Sequence, residues 1–244
     1  MAEDFNQGYI TGQKIETGVL VRSFMSNVFL WMTFAMVVTS ITAYLFASSA
    51  ELLATLMDPV THKMTGLGWI VFLGPFGFVL LMSFGFQRLS PGVLALLFIT
   101  FAVLMGMSLS FILLAYTAVS VYKTFAVTAG MFGVMAVLGY STKTDLSRFG
   151  AIMFMGLIGI VIAMLINFFL ASPALDYLIS VIGVVVFTGL TAYDVQKLKR
   201  IGSGAAGDNL DVNLRKLSIL GALTLYLDFI NLFLFLLRFL GNRK

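Results

Sequence analysis

Seven apolar runs divide this chain, separated by short polar segments. They cover residues 24–47, 67–86, 90–116, 124–140, 149–171, 177–193 and 217–240. A helix needs about 20 mostly apolar residues to cross the ~30 Å hydrocarbon layer of a bilayer. The pattern therefore predicts seven transmembrane helices. The second carries Gly74-Pro75, which predicts a kink. The third opens on Ser90-Pro91, a helix cap followed by proline at the first helical position. The fifth stops at Ser172-Pro173. The fourth and sixth are short for a full crossing. Gly130, Gly133, Gly156 and Gly159 fall at small-residue spacings that let helices approach closely. Residues 1–23 read as a polar tail before a single membrane domain, 24–244.

Composition agrees with the pattern. The 244 residues are 60% hydrophobic and 11% charged, whereas a soluble domain is nearer half apolar and a quarter charged. Such a chain has too little polar surface to cover a globule in water. Cysteine is absent, which removes disulfides, thiol nucleophiles and cysteine-based zinc sites. His62 is the only histidine and sits in a polar stretch. One imidazole builds neither a metal site nor a triad, so His62 reads as a solvated loop residue. A retinal protein needs a mid-span lysine and a rhomboid-like protease a membrane histidine, and no span has either. Catalytic residues and cofactors are therefore not expected.

The net charge of +4 matters through its distribution. With the N-terminus in the cytoplasm, the inner face holds Lys14, Arg22, Arg88, Lys143, Arg148, Lys197, Lys199, Arg200, Arg215 and Lys216. The outer face holds Lys63, Lys123, Arg238, Arg243 and Lys244. Cytoplasmic loops carry an excess of Lys and Arg, so this bias predicts the N-inside orientation. No basic block with interleaved aromatics points to nucleic acid. Residues 1–23 lack the basic and apolar regions of a cleaved signal peptide.

Two acidic residues break the apolar runs. Asp228 lies in the middle of "LTLYLDFINLFLFLLRFL", where a charge costs at least ~2.5–3.5 kcal/mol. Asp194 closes the sixth span in "GVVVFTGLTAYDVQKLKR". Arg88 closes the second span, and both spans run toward the same face. Two carboxyls in a low-dielectric site can share a proton. A guanidinium beside them would stabilise the ionised form and could latch the bundle. Deprotonated, the pair offers hard oxygen ligands suited to Ca²⁺. Other readings stay open. Asp228 could bond Asn231 or Tyr226 as interhelical glue, Asp194 could pair with Lys197, and Arg88 could be a topology anchor. Asn167 reads as structural. Depth argues against a neat pair, because Asp228 follows Lys216 by about 18 Å of helix and Asp194 precedes Lys197 by only about 4.5 Å.

"GLTAYDVQKLKR" (189–200) and "SILGALTLYLDFINLFLFLLRFLGNRK" (218–244) resemble the signature segments of the Bax inhibitor family, also called the transmembrane Bax inhibitor motif family. "TAGMFGVMAVLGYSTKTDLSRFG" (128–150) is similar to its bacterial members. The resemblance implies an all-α integral membrane protein of seven transmembrane helices, the last central and wrapped by the other six. It implies a pH-sensitive calcium leak in a bacterial inner membrane. The family's two aspartates fall on Asp194 and Asp228, as proton sensor and transient calcium ligands, and its latching arginine on Arg88. Membrane lipid and calcium ions are the partners this implies.

Two other functions compete with a leak channel. A non-conducting regulator would bind a membrane protease or another membrane protein, as some bacterial relatives imply. A proton-coupled exchanger would move cations against a counter-gradient.

Overall fold

The computed structural model describes residues 2–61, 63–204 and 210–244, with side chains from residue 18 onward except around the 205–211 segment. His62 and residues 205–209 of the Gly-rich linker lie outside the described residues. The described chain is helical: α1 (Ala2–Ser48), α2 (Ala50–Leu56), α3 (Gly66–Gly85), α4 (Pro91–Ala115), α5 (Ala118–Ser141), α6 (Ser147–Leu170), α7 (Pro173–Gly204) and α8 (Leu210–Leu240). Seven are long and apolar enough to cross a membrane, and α2 is a short connector. The backbone of residues 2–23 continues directly into the first span as one helix.

Local signals set most of the ends. The Ser90 hydroxyl accepts the Val93 amide at 3.4 Å, with Pro91 at the first helical position. Thr65 and Thr117 cap α3 and α5 in the same way. Each satisfies an amide that has no partner inside the helix. α6 stops where Ala171 turns left-handed, at φ 47°. Asn167 secures this stop, since its side-chain oxygen accepts the Ser172 amide at 3.0 Å. α3 runs through Gly74-Pro75 as a continuous helix.

The two short spans are longer than their apolar runs. α5 begins at Ala118 and α7 continues to Gly204. Apolarity ends where Lys and Arg begin, but the backbone bonds of a helix do not depend on side-chain polarity. The basic residues fold back on the structure; Lys199, for example, donates to the Tyr140 carbonyl at 2.6 Å.

The last helix is central. α8 packs along α1, α4, α5 and α7, and 72% of its most apolar stretch is buried. Four spans wall it directly instead of six: α3 stands outside on α4, and α6 outside on α7. Small residues set the close approaches. A Cβ on Gly139 would lie 2.2 Å from the Ala192 carbonyl oxygen, and one on Gly106 would lie 2.6 Å from that of Thr39. Gly130, Gly133 and Gly159 instead face open space, and of the four expected contact glycines only Gly156 meets a neighbour, Val186.

Residues 241–244 complete the bundle. They return along the α4–α5 connection, where Arg243 pairs with Tyr116 in an isolated antiparallel bridge. The Thr117 amide donates to the Asn242 carbonyl and the Lys244 amide to the Ala115 carbonyl. That connection lies on the face opposite the start of α1, because α1, α3 and α4 have crossed before it. α8 therefore crosses the whole bundle.

Candidate functional site

α7 and α8 form an antiparallel pair joined by the 205–209 linker. Leu198 packs at Gly221, and the rings of Phe187 and Phe235 stack at 5.7 Å. Two helical turns along α7 from Phe187 is Asp194, and two turns back along α8 from Phe235 is Asp228. The two carboxyls meet, close enough to act on one another directly. The depth difference read from the sequence closes because α7 and α8 both extend well past the apolar runs. Asp194 is 9% exposed and Asp228 5%. One oxygen of Asp228, Oδ2, has no protein hydrogen-bond partner.

Tyr226, Asn231 and Lys197 are the other candidate partners of these residues. The Tyr226 hydroxyl donates to Thr39 Oγ1 at 2.8 Å, and Thr39 in turn donates to the Ala102 carbonyl at 2.9 Å. Asn231 donates to the Leu227 carbonyl of its own helix. Neither reaches Asp228. Residues two apart on a helix point about 200° away from each other, so Tyr226 faces α1 and α4 while Asp228 faces α7. Lys197 is close enough to Asp194 to act on it electrostatically. Its ammonium sits 5.9 Å from the Tyr193 ring centre, and among the described residues it makes no ion pair with Asp194.

Arg88 is not brought to the pair. It is exposed in the turn after α3, and among the described residues it forms no ion pair with either aspartate. The cation that does reach the end of α3 is Lys216 of α8, which donates to the Phe86 carbonyl and lies over the Phe86 ring at 5.8 Å.

The sequence profile described as "Inhibitor of apoptosis-promoting Bax1" matches residues 21–244. The chain belongs to the Bax inhibitor family. The inner membrane protein YbhL of Escherichia coli (strain K12) is 49% identical over 225 residues, which cover 92% of this chain and 93% of that one. A protein of Rickettsia prowazekii is 43% identical over 92% of this chain and 91% of its own. One of Deinococcus radiodurans is 40% identical over the full length of both. The chain is a multi-pass membrane protein of the Bax inhibitor family, and its own structure places Asp194 and Asp228 on the α7–α8 hairpin.

Around that hairpin lie polar residues that hydropathy did not single out. Thr39 and Tyr226 tie α1, α4 and α8 together at the core, with the rings of Phe98 and Phe101 edge-on to Tyr226. Gln196 holds the α5–α6 loop: its Oε1 accepts the Leu146 amide at 2.9 Å and its Nε2 donates to the Thr144 carbonyl at 2.8 Å. Arg200 pairs with Asp145 at 2.9 Å on the surface of that loop. The Ser147 amide and hydroxyl, with Arg200 behind them, hold the Asp145 carboxyl below the usual carboxylate range. A glutamine two residues after Asp194 was the one visible signal. The threonines looked like any others in an apolar run.

Proposed function

We propose that this protein is a pH-sensitive calcium leak channel of the bacterial inner membrane, gated by Asp194 and Asp228. The observation that supports it is the meeting of two buried carboxyls on the central hairpin, with one oxygen lacking a protein partner. Two carboxylates in contact in a low dielectric cannot both carry charge cheaply. A single proton held between them leaves one net charge instead of two. Loss of that proton places like charges side by side, which pushes α7 from α8 or draws a cation between them. Carboxylate oxygens suit Ca²⁺, which takes 6–8 oxygen ligands. Among the described residues no third acidic or histidine side chain joins the pair. Two carboxylates alone hold such an ion briefly, as a conduction path requires.

A latch by Arg88 belongs to another conformation of the channel. It requires the end of α3 to move inward, and α3 packs on α2 and α4 rather than along α8.

The test is Ca²⁺ entry into liposomes holding the pure protein, followed across about pH 5 to 8. Flux should rise as the pair loses its proton. Asp194→Asn and Asp228→Asn should each remove most of the pH dependence, and the double variant should add little, since the two act as one unit. If both single variants keep the wild-type curve, Asp228 is an interhelical contact and no gate. If the wild type passes no Ca²⁺ at any pH, the reading gives way to a non-conducting regulator.

The orientation that places the pair toward the cytoplasmic side follows from the ten-to-five bias of basic residues. Cysteines placed singly at Ala2 and Gly204 should resist an impermeant thiol reagent added to intact cells. Ready labelling of both would invert the topology.

A further inference from the structure

On the face where residues 241–244 fold back, the bundle is open between α1 and α5. These two helices do not pack along each other. A cavity of about 690 Å³ runs between them to α8, a volume typical of sites that enclose small molecules. Its walls include Ile41 and Leu45 of α1, Leu113 of α4, Phe125 of α5, and Ile230 and Phe233 of α8. At its depth, the Thr39 hydroxyl is already bonded to Ala102 and Tyr226. Ile41, Leu45 and Phe125 are 56%, 51% and 42% exposed, so the cleft opens sideways into the bilayer.

Two physical facts select an occupant. An apolar cavity does not hold water stably, and this one opens at the depth of lipid hydrocarbon. The rim, by contrast, is polar and cationic. Tyr44 and Tyr122 stand at it, 65% and 73% exposed, as tyrosines do at a membrane interface. The Lys244 ammonium donates to the carbonyl of Leu113, itself a wall residue, at 3.3 Å. Asp176, in the first turn of α7, is engaged by Arg238 at 3.4 Å, and Glu51 of α2 is an exposed acid that follows the wall residue Ser48. A molecule with a hydrocarbon tail and an anionic head matches both parts.

We propose that this cleft is a phospholipid site, in which one acyl chain enters between α1 and α5 to reach Ile230 and Phe233 and the headgroup phosphate meets the Lys244 ammonium.

The full chain has no cysteine, which makes the test direct. Ser40→Cys puts a thiol in the cleft. Val185→Cys puts one on α7, where the side chain is 61% exposed and outside the cleft. Each is labelled with bimane and placed in phosphatidylcholine nanodiscs with increasing fractions of phosphatidylglycerol brominated on one chain. Quenching at residue 40 should saturate at low brominated fraction, while quenching at residue 185 should rise in proportion to it. Ala47→Phe and Ala118→Phe, which fill the cleft from its two sides, should each abolish the saturable part while the melting temperature holds. Lys244→Ala should shift saturation to higher lipid fractions. The proposal falls if residue 40 follows the same proportional curve as residue 185. It also falls if aqueous iodide quenches residue 40 strongly, which would make the cleft a water-filled vestibule. Saturation that survives both filling variants would place the chain elsewhere and equally overturn it.

Discussion

Of the most apolar stretch of α6, 11% is buried inside the bundle; of α8, 72% is. Yet α6 is the more apolar of the two. In water this ordering would be reversed, because burial there is driven by apolar surface. In lipid the surroundings are as apolar as leucine, so apolarity gives a helix no reason to go inside. What α8 carries and α6 lacks is a set of polar groups that need protein partners: Tyr226 to Thr39, Asp228 to Asp194. It also carries Gly221, which seats Leu198 of α7 and Val28 of α1. The interior of this protein is defined by polar pairing and close fit.

The contrast breaks most severely at a glycine. Gly139→Leu drives a side chain into the backbone of α7 at Ala192. Overpacking costs about 1–3 kcal/mol and sometimes more, and here the obstacle is main chain, so the upper end is expected. Gly133→Leu, on the same helix but facing open space, should stay within about 0.5 kcal/mol of wild type. Thermal unfolding in detergent compares them, and equal losses would show that α5 is packed on both faces.

A smaller effect is expected at the core hydroxyls. Thr39→Val strands the buried Tyr226 hydroxyl, at a cost of about 1–3 kcal/mol. Thr224→Val, on the exposed face of α8, removes only a bond to its own helix at Leu220, and should cost about 0.5 kcal/mol or less. If the two variants melt together, polar pairing does not distinguish inside from outside.

The smallest effect belongs to the loop surface. Asp145 has its carboxyl held below the usual range by Ser147 and Arg200. A group depressed on folding stabilises above its unfolded pKa, about 3.9 for Asp, and loses that contribution as pH falls through the folded value. Asp145→Asn should therefore lower the melting temperature slightly at neutral pH, and the difference should vanish in acid. A difference that grows in acid would reverse the sign. Exposed ion pairs contribute little, so the shift should be the least of the three.

Much of this was readable in advance, and the reasons differ by residue. The seven spans follow from apolar runs because a bilayer requires them. Ser90-Pro91 announced a helix start because the cap is local chemistry. Asp194 and Asp228 stood out as the two acids that break the apolar runs, but Asn231, Tyr226 and Lys197 were open as partners and helix depth argued against the pair. The contact glycines could not be read, because Gly133 and Gly139 sit on one helix and only its rotation tells which faces α7. Thr39 is one of several hydroxyls in its span, and its meeting with Tyr226 spans 187 residues of sequence. The lengths of α5 and α7 were hidden because their ends are polar and still helical.

The position of α8 has a consequence for how the molecule is made. Chains emerge N-terminus first and are inserted in that order. The helix around which the bundle is built leaves the ribosome after every span it touches, and the bridge from Arg243 to Tyr116 closes later still. Until then α1 and α4 have each other and α5 has α7, but their faces toward α8 are uncovered and the hydroxyl of Thr39 lacks its Tyr226 partner. Insertion of α8 thus joins helix pairs that already pack on one another around a shared core, and a ribosome stalled before residue 210 should leave a species that quality-control proteases recognise.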